Sequence, residues 1–401
     1  MPGPTAGAAH SRLQWRLAAF YFFYYGTVGA FMPYWSPYLA ARGFTPVQMG
    51  IVYAAMGILR CVVPLGWGWY ADRSGRRIGL IRVGSLAALA LFMLIPFVPG
   101  VFWVSVCMLS YALFWHGLLA QFEAVALTHL EAINADYAHV RLWGSLGFIV
   151  SVLGLAPLLD RTGALWLPYL VAVFWIGMAA SSWLVPEAPK LPQHREREGG
   201  LLRVLRDPGV IALLLVCLCS QTSFAPYYNF FTLFVEREGH SHTLIGWLWA
   251  VAVTAEIGFF LYASRLIPRL GERRMMIIAL AATALRWALT AIGAGSLPLL
   301  LLLQLGHALS FAAFHAVAMR YVQHYFPGSL QGRGQALYNA MAYGVGGSIG
   351  SIGGGYIWQL WDPQAVFYAA ALIGAGGFWL AWRRLPGIVV SDRPHSAKVI
   401  G

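Results

Sequence analysis

Apolar residues run in long unbroken blocks along this chain, separated by short polar turns, and the blocks do not alternate apolar with polar side chains. A helix needs about 20 apolar residues to cross a bilayer, whereas a membrane β-barrel alternates in shorter segments. The pattern therefore predicts an all-α membrane protein. Twelve spans are expected, at 15–41, 48–71, 78–98, 101–128, 140–159, 164–185, 209–235, 244–264, 274–294, 297–323, 333–358 and 365–385.

The long polar interval is Glu187 to Pro208, where Pro186, Pro189, Pro192, Gly199 and Gly200 interrupt a mixed-charge run. Such breakers mark a linker. On either side, Gly43, Gly50, Gly75 and Arg77 recur as Gly239, Gly246, Gly271 and Arg273, at one displacement of 196 positions. A constant offset across several elements signals an internal repeat. The expected organisation is a tail at 1–14, a six-helix bundle at 15–186, a linker at 187–208, a second six-helix bundle at 209–385 and a tail at 386–401. Parallel six-helix repeats place a central site between two halves that rock.

Composition agrees with a lipid environment: 59% of residues are hydrophobic and 10% are charged, too few to cover a soluble globule. The formal charge of +12 raises the question of nucleic acid. The positions of the arginines answer it. Arg73, Arg76, Arg77, Arg82, Arg195, Arg197, Arg203, Arg206, Arg265, Arg269, Arg273, Arg274, Arg383 and Arg384 fall on one side of a twelve-span topology, and mainly Arg42, Arg161 and Arg237 on the other. This asymmetry predicts both termini in the cytoplasm and no nucleic-acid partner. The first apolar run lacks a small-residue cleavage site and is expected to be retained. Cys61, Cys107, Cys217 and Cys219 all lie in spans, where cysteine packs as a small apolar residue, so neither a disulfide nor a metal site is expected.

The loop after the second span reads Gly68-Trp69-Tyr70-Ala71-Asp72-Arg73-Ser74-Gly75-Arg76-Arg77 and resembles the signature loop of the major facilitator superfamily. Gly75 permits a tight turn, and Asp72 can hold helix ends and the arginines. The resemblance implies a conformational latch formed by Gly68, Asp72, Arg73, Gly75, Arg76 and Arg77. In the second half, Pro268 stands where the aspartate would be. Within the superfamily, the chain resembles the group of the phenylpropionate permease, the lactose permease and nucleoside proton symporters. That resemblance rests on the run from Met32 to Gly43 (MPYWSPYLAARG), on Arg141-Leu142-Trp143-Gly144-Ser145-Leu146-Gly147-Phe148, on Ala255-Glu256 and on Gly332-Arg333-Gly334-Gln335-Ala336-Leu337-Tyr338. It implies the major facilitator fold, a bacterial inner-membrane location and a monomer.

Ionisable residues inside a span should face a cavity or a partner. Glu256 lies near mid-span, where a carboxylate is costly to keep ionised and can exchange protons; Trp249 lies on the same face. An ion pair of Glu256 with Arg286 is the structural alternative. Glu123 and Arg141 flank a helix turn and can approach each other, and they resemble the substrate-binding pair of the lactose permease; His116 shares the face of Glu123. By the same resemblance, Arg286 and His307 match a proton relay, but Ser310 stands where the relay carboxylate would be, Gln304 where its lysine would be, and Phe148 where the sugar-stacking tryptophan would be. His307, Phe311 and His315 form a stripe that reads as a proton path or as packing. Arg60 is a candidate for an anionic solute or a helix contact. Tyr24 and Tyr25, with Tyr227, Tyr228 and Asn229, form aromatic clusters that suit a cavity wall or an interfacial belt.

No Walker loop, zinc-protease motif or serine-hydrolase elbow occurs, so no enzyme and no cofactor is expected. The expected function is secondary active transport: proton symport of a small organic solute, foremost an aromatic or related carboxylate. Sugar or nucleoside symport and efflux by antiport are the other transport readings. A non-transporting membrane sensor is the reading from a different class.

Overall fold

The computed structural model describes residues 4–188 and 201–388. Its long helices are α1 (Pro4–Ala41), α2 (Pro46–Ser74), α3 (Arg77–Leu94), α4 (Gly100–Ala132), α5 (Tyr137–Thr162), α6 (Leu167–Leu184), α7 (Pro208–Arg237), α8 (His242–Leu270), α9 (Glu272–Gly293), α10 (Leu297–Tyr325), α11 (331–360) and α12 (Pro363–Arg384). Among the described residues there is no strand. These twelve helices match the twelve expected spans. Ten of them are long and apolar enough to cross a membrane on length and composition alone. The Tyr-rich α1 and α11, which a π-helical stretch at Ala340–Gly346 interrupts, are the two that fall short.

Boundaries moved where local chemistry extends a helix past the apolar block. The Ala-rich start of the chain is helical from Pro4, so α1 occupies most of the expected first tail. α2 opens on a capping box, in which Thr45 accepts from Gln48 N and the Gln48 side chain accepts from Thr45 N. It ends at Gly75, whose φ of 64° lies in the left-handed region that favours glycine. Linker positions 189–200, which include Arg195 and Arg197, and tail positions 389–401 lie outside the described residues.

In the first half α1 packs on α5 and α6, and α4 on α2 and α3; in the second, α12 packs on α9 and α7, and α8 on α10. The halves meet along α2 with α11, α5 with α8, and α1 with α7. Arginines close helix ends at the arginine-rich face. Arg82 donates to Ser182 O and Val185 O at the end of α6, and Arg273 donates to Leu385 O at the end of α12.

Contacts between the halves are concentrated toward the opposite, arginine-poor end. Ser36 donates to Asn229 O, Val47 N to Gln359, Ser348 to Ala54 O, and Asp160 receives four bonds from His242 and Thr243. Among the described residues, the cross-half hydrogen bond deepest toward the arginine-rich end joins Cys61 to Asn339 O, about mid-helix on α2. The two halves are thus clamped at the arginine-poor end.

Close backbone approach makes these interfaces. A side chain added at Gly147 would run into the backbone of Phe22 on α1, whereas one added at Gly154 meets open space. Gly147→Leu should therefore lower the apparent melting temperature of the purified protein by several degrees, equivalent to about 1–3 kcal/mol of overpacking. Gly154→Leu should leave it unchanged. Equal melting of the two variants would show that close packing of α1 on α5 is not what holds the first half together.

Candidate functional site

The second half builds a hub on Arg286 of α9. Its side chain is almost wholly buried at 3% exposure, and each nitrogen has a partner. Nε donates to Leu303 O (2.8 Å), Nη2 to Gln304 Oε1 (3.0 Å), and Nη1 to Ser310 Oγ (3.3 Å) and His307 Nδ1 (3.0 Å). Tyr227 donates to the same Gln304 oxygen at 2.9 Å, and the Tyr227 and Trp287 rings cover the guanidinium. A guanidinium only donates, so His307 Nδ1 accepts and the ring proton of the neutral imidazole sits on Nε2. That nitrogen faces Glu256 Oε2 at 3.7 Å. Glu256 thus meets Arg286 through His307 rather than by a direct pair. Ser310 and Gln304, in place of a relay carboxylate and lysine, serve Arg286 as neutral acceptors.

α10 is π-helical at Ala308–Ala313. Along it His307 stacks with Phe311, and Phe311 with His315, at interplanar angles of 6° and 11°. His315 Nδ1 lies 3.1 Å from the Tyr338 hydroxyl on α11.

In the first half Glu123 of α4 accepts from Tyr137 at 3.3 Å, and Tyr137 lies 3.5 Å from the Tyr21 hydroxyl. Arg141 of α5 stands 3.9 Å over the Tyr25 ring, and Gly144 leaves room for both. Glu123 and Arg141 do not form an ion pair; tyrosines stand between them in the network. His116 stacks on Trp115, and its Nε2 is buried without a hydrogen-bond partner. Arg60 of α2 is exposed within its span and lies 4.7 Å from the centre of the Tyr343 ring, on α11 of the other half.

Together these groups give the interior an imbalance of charge. Arg60, Arg141 and Arg286 are cations within the spans, none in an ion pair among the described residues, while Glu123 and Glu256 are the only mid-span acids and Glu256 meets only an imidazole. The interior is therefore short of negative charge by one, and by two when Glu256 is protonated.

Other candidates take different places. Tyr24, Tyr227 and Trp249 are buried: Trp249 stacks on Tyr227 and donates to Thr232, so it backs the wall behind Glu256. Tyr25 and Tyr228 are half-buried and form the accessible face. The Asn229 amide donates to Ser351 on α11 and joins helices. In the signature loop, Asp72 pairs with Arg77, which also donates to Gln121 of α4; Arg73 stacks on Trp69, Gly68 lies against Gln121, and Arg76 N reaches Ser74. Those contacts stay within the first half. Tyr137 and Tyr343 join the site without having stood out in the sequence, because single tyrosines in apolar helices carry no spacing signal.

A twelve-helix bundle of two halves around a polar, aromatic-lined interior defines a secondary transporter. The chain belongs to the MFS_1 like family, whose pattern it matches over residues 14–369. It is 30% identical over 377 residues to a protein named probable 3-phenylpropionic acid transporter of Escherichia coli (strain K12), covering 92% of this chain and 97% of that one. It is 26% identical over 358 residues to the maltose permease of Geobacillus stearothermophilus, covering 87% and 88%. The crystal structure of the nucleoside transporter NupG superposes with a TM-score of 0.80 at 17% identity, over 92% of this chain and 98% of that chain. The protein is a multi-pass membrane transporter of a small molecule and not an enzyme.

The two kinds of arginine differ in a measurable way. Arg286→Ala removes the donor of four buried acceptors and should lower the apparent melting temperature by the equivalent of about 3 kcal/mol. Arg60→Ala, which loses only a ring contact, should melt like the parent. Equal losses in a thermal-shift assay would contradict the assignment of Arg286 as the structural hub.

Proposed function

We propose that the protein imports a small carboxylate, foremost an aromatic one, together with a proton across the bacterial inner membrane. The observation that carries this reading is the charge imbalance: three cations against two acids in the interior, none of the arginines in an ion pair among the described residues, beside a carboxylate whose one contact with a basic group within 4 Å is to His307. A monocarboxylate entering with one proton adds no net charge to the interior, which lowers the cost of moving charge through a low-dielectric path. Arg60 and Arg141 receive the anion; Tyr25 and Tyr228 face its ring; Glu256 takes the proton, with His307 oriented toward it by Arg286. His116, His315 and Glu123 extend the polar lining. The Escherichia coli relative is named for 3-phenylpropionic acid, a phenyl ring bearing a carboxylate, and that supports this class.

The arginine-rich end is then the cytoplasmic face, with both termini there, and the clamp at the arginine-poor end makes this an inward-facing conformation. Asp72 of the signature loop would release Arg77 and engage the second half when the protein faces outward. Sugar or nucleoside symport is favoured by the relatives' names alone, and it lacks a use for the surplus cations.

Uptake into proteoliposomes tests the reading. An inward proton gradient should drive accumulation of phenyl-substituted carboxylates in preference to sugars and nucleosides. Glu256→Gln should keep exchange of labelled for unlabelled substrate while losing uphill accumulation at least tenfold. Arg60→Ala and Arg141→Ala should each raise KM for the carboxylate about tenfold or more. Gradient-driven accumulation by Glu256→Gln would refute proton handling at that residue, and preference for an uncharged sugar would refute the substrate class.

A further inference from the structure

One carboxylate from the first half supplies four of the hydrogen bonds in the clamp at the arginine-poor end. Asp160, in the last turn of α5, accepts from the backbone nitrogens of His242 (2.8 Å) and Thr243 (3.0 Å), the first residues of α8, and from the Thr243 hydroxyl (2.5 Å). A carboxylate on the first turn of a helix meets unpaired N–H groups and the positive end of the helix dipole, so the contact ties the two halves together.

His242 adds a second feature. Its Nδ1 lies 3.1 Å from Asp160 Oδ1 and must donate, since a carboxylate only accepts. In the neutral ring Nε2 then carries a lone pair. That atom is buried with no hydrogen-bond partner, and it points toward Glu236 Oε1 of α7 at 3.5 Å. A lone pair facing a carboxylate is repulsive. A proton on Nε2 turns the same geometry into an ion pair, with the imidazolium between Asp160 and Glu236. From α1 the facing group is Tyr34, whose ring lies 6.2 Å away and whose hydroxyl donates to Val152 O; Arg161 and Arg237, beside the two acids in sequence, are exposed.

We infer that Asp160, His242 and Glu236 form an outer gate lock that closes on protonation, giving the transporter a response to external acidity separate from proton coupling at Glu256. The sign follows from linkage. Opening pulls α5 from α8 and takes Asp160 away from His242, so the closed state holds the extra proton more tightly and falling pH favours closure. After release of substrate inside, a high external proton concentration stabilises the sealed outer face.

The test uses the full chain with its four cysteines replaced by alanine and spin labels on cysteines at exposed Leu165 of the first half and Trp361 of the second. Glu256→Gln is included, so that coupling at that site does not contribute and failure of the transport reading leaves this result interpretable. Lowering pH from about 7.5 to about 5.5 should shift the ratio of short to long outer distances about tenfold toward short, within the usual range of coupling between sites. His242→Gln should remove the shift. Glu236→Gln, which leaves Asp160 facing His242, should keep a shift but need a lower pH to produce it. No shift in the parent, or an undiminished shift in His242→Gln, would overturn the proposal.

Discussion

The cost of leaving a polar group without a partner in hydrocarbon governs this molecule. Backbone groups meet it by forming helices, and arginines at the arginine-rich face meet it for helix ends, as Arg82 and Arg273 do for α6 and α12. Inside the bundle, the same cost assigns Arg286 its ring of acceptors and sets the tautomer of His307, which in turn directs a proton donor at Glu256. Only some cations are treated this way. Arg60 and Arg141 rest on aromatic faces, which attract a cation without satisfying its donors.

The two halves descend from one repeat but divide the work. The second half holds the buried Arg286 network, and both π-helical stretches lie in it, at Ala308–Ala313 and Ala340–Gly346. One aligns His307, Phe311 and His315; the other carries Tyr343 to Arg60. The first half supplies Arg60 and Arg141, which rest on aromatic rings, and Glu123, which accepts from Tyr137.

Helix number, the repeat and the signature loop were legible in the chain because hydropathy over about 20 residues, a constant offset and a glycine at a tight turn are local or periodic signals. Most ionisable members of the site were legible for the same reason: an Arg, Glu or His in an apolar run has few structural uses. Their partners were not. An ion pair of Glu256 with Arg286 is compatible with the sequence, yet His307 stands between them; Glu123 and Arg141 are compatible with a salt bridge, yet Tyr137 and Tyr25 take their places. Asp160 and His242 sit at helix ends 82 positions apart, where nothing in the pattern links them.

By itself, then, the sequence determined that the chain crosses a membrane as twelve helices in two related halves, and which few charges those helices must accommodate, since both follow from transfer costs that each segment carries alone. Tertiary structure decided which charges meet one another, which rest on aromatic rings and which end of the molecule is shut. Those outcomes depend on distances of a few ångströms between residues remote in sequence, and hydrogen-bond geometry selects among pairings that composition and periodicity leave equivalent.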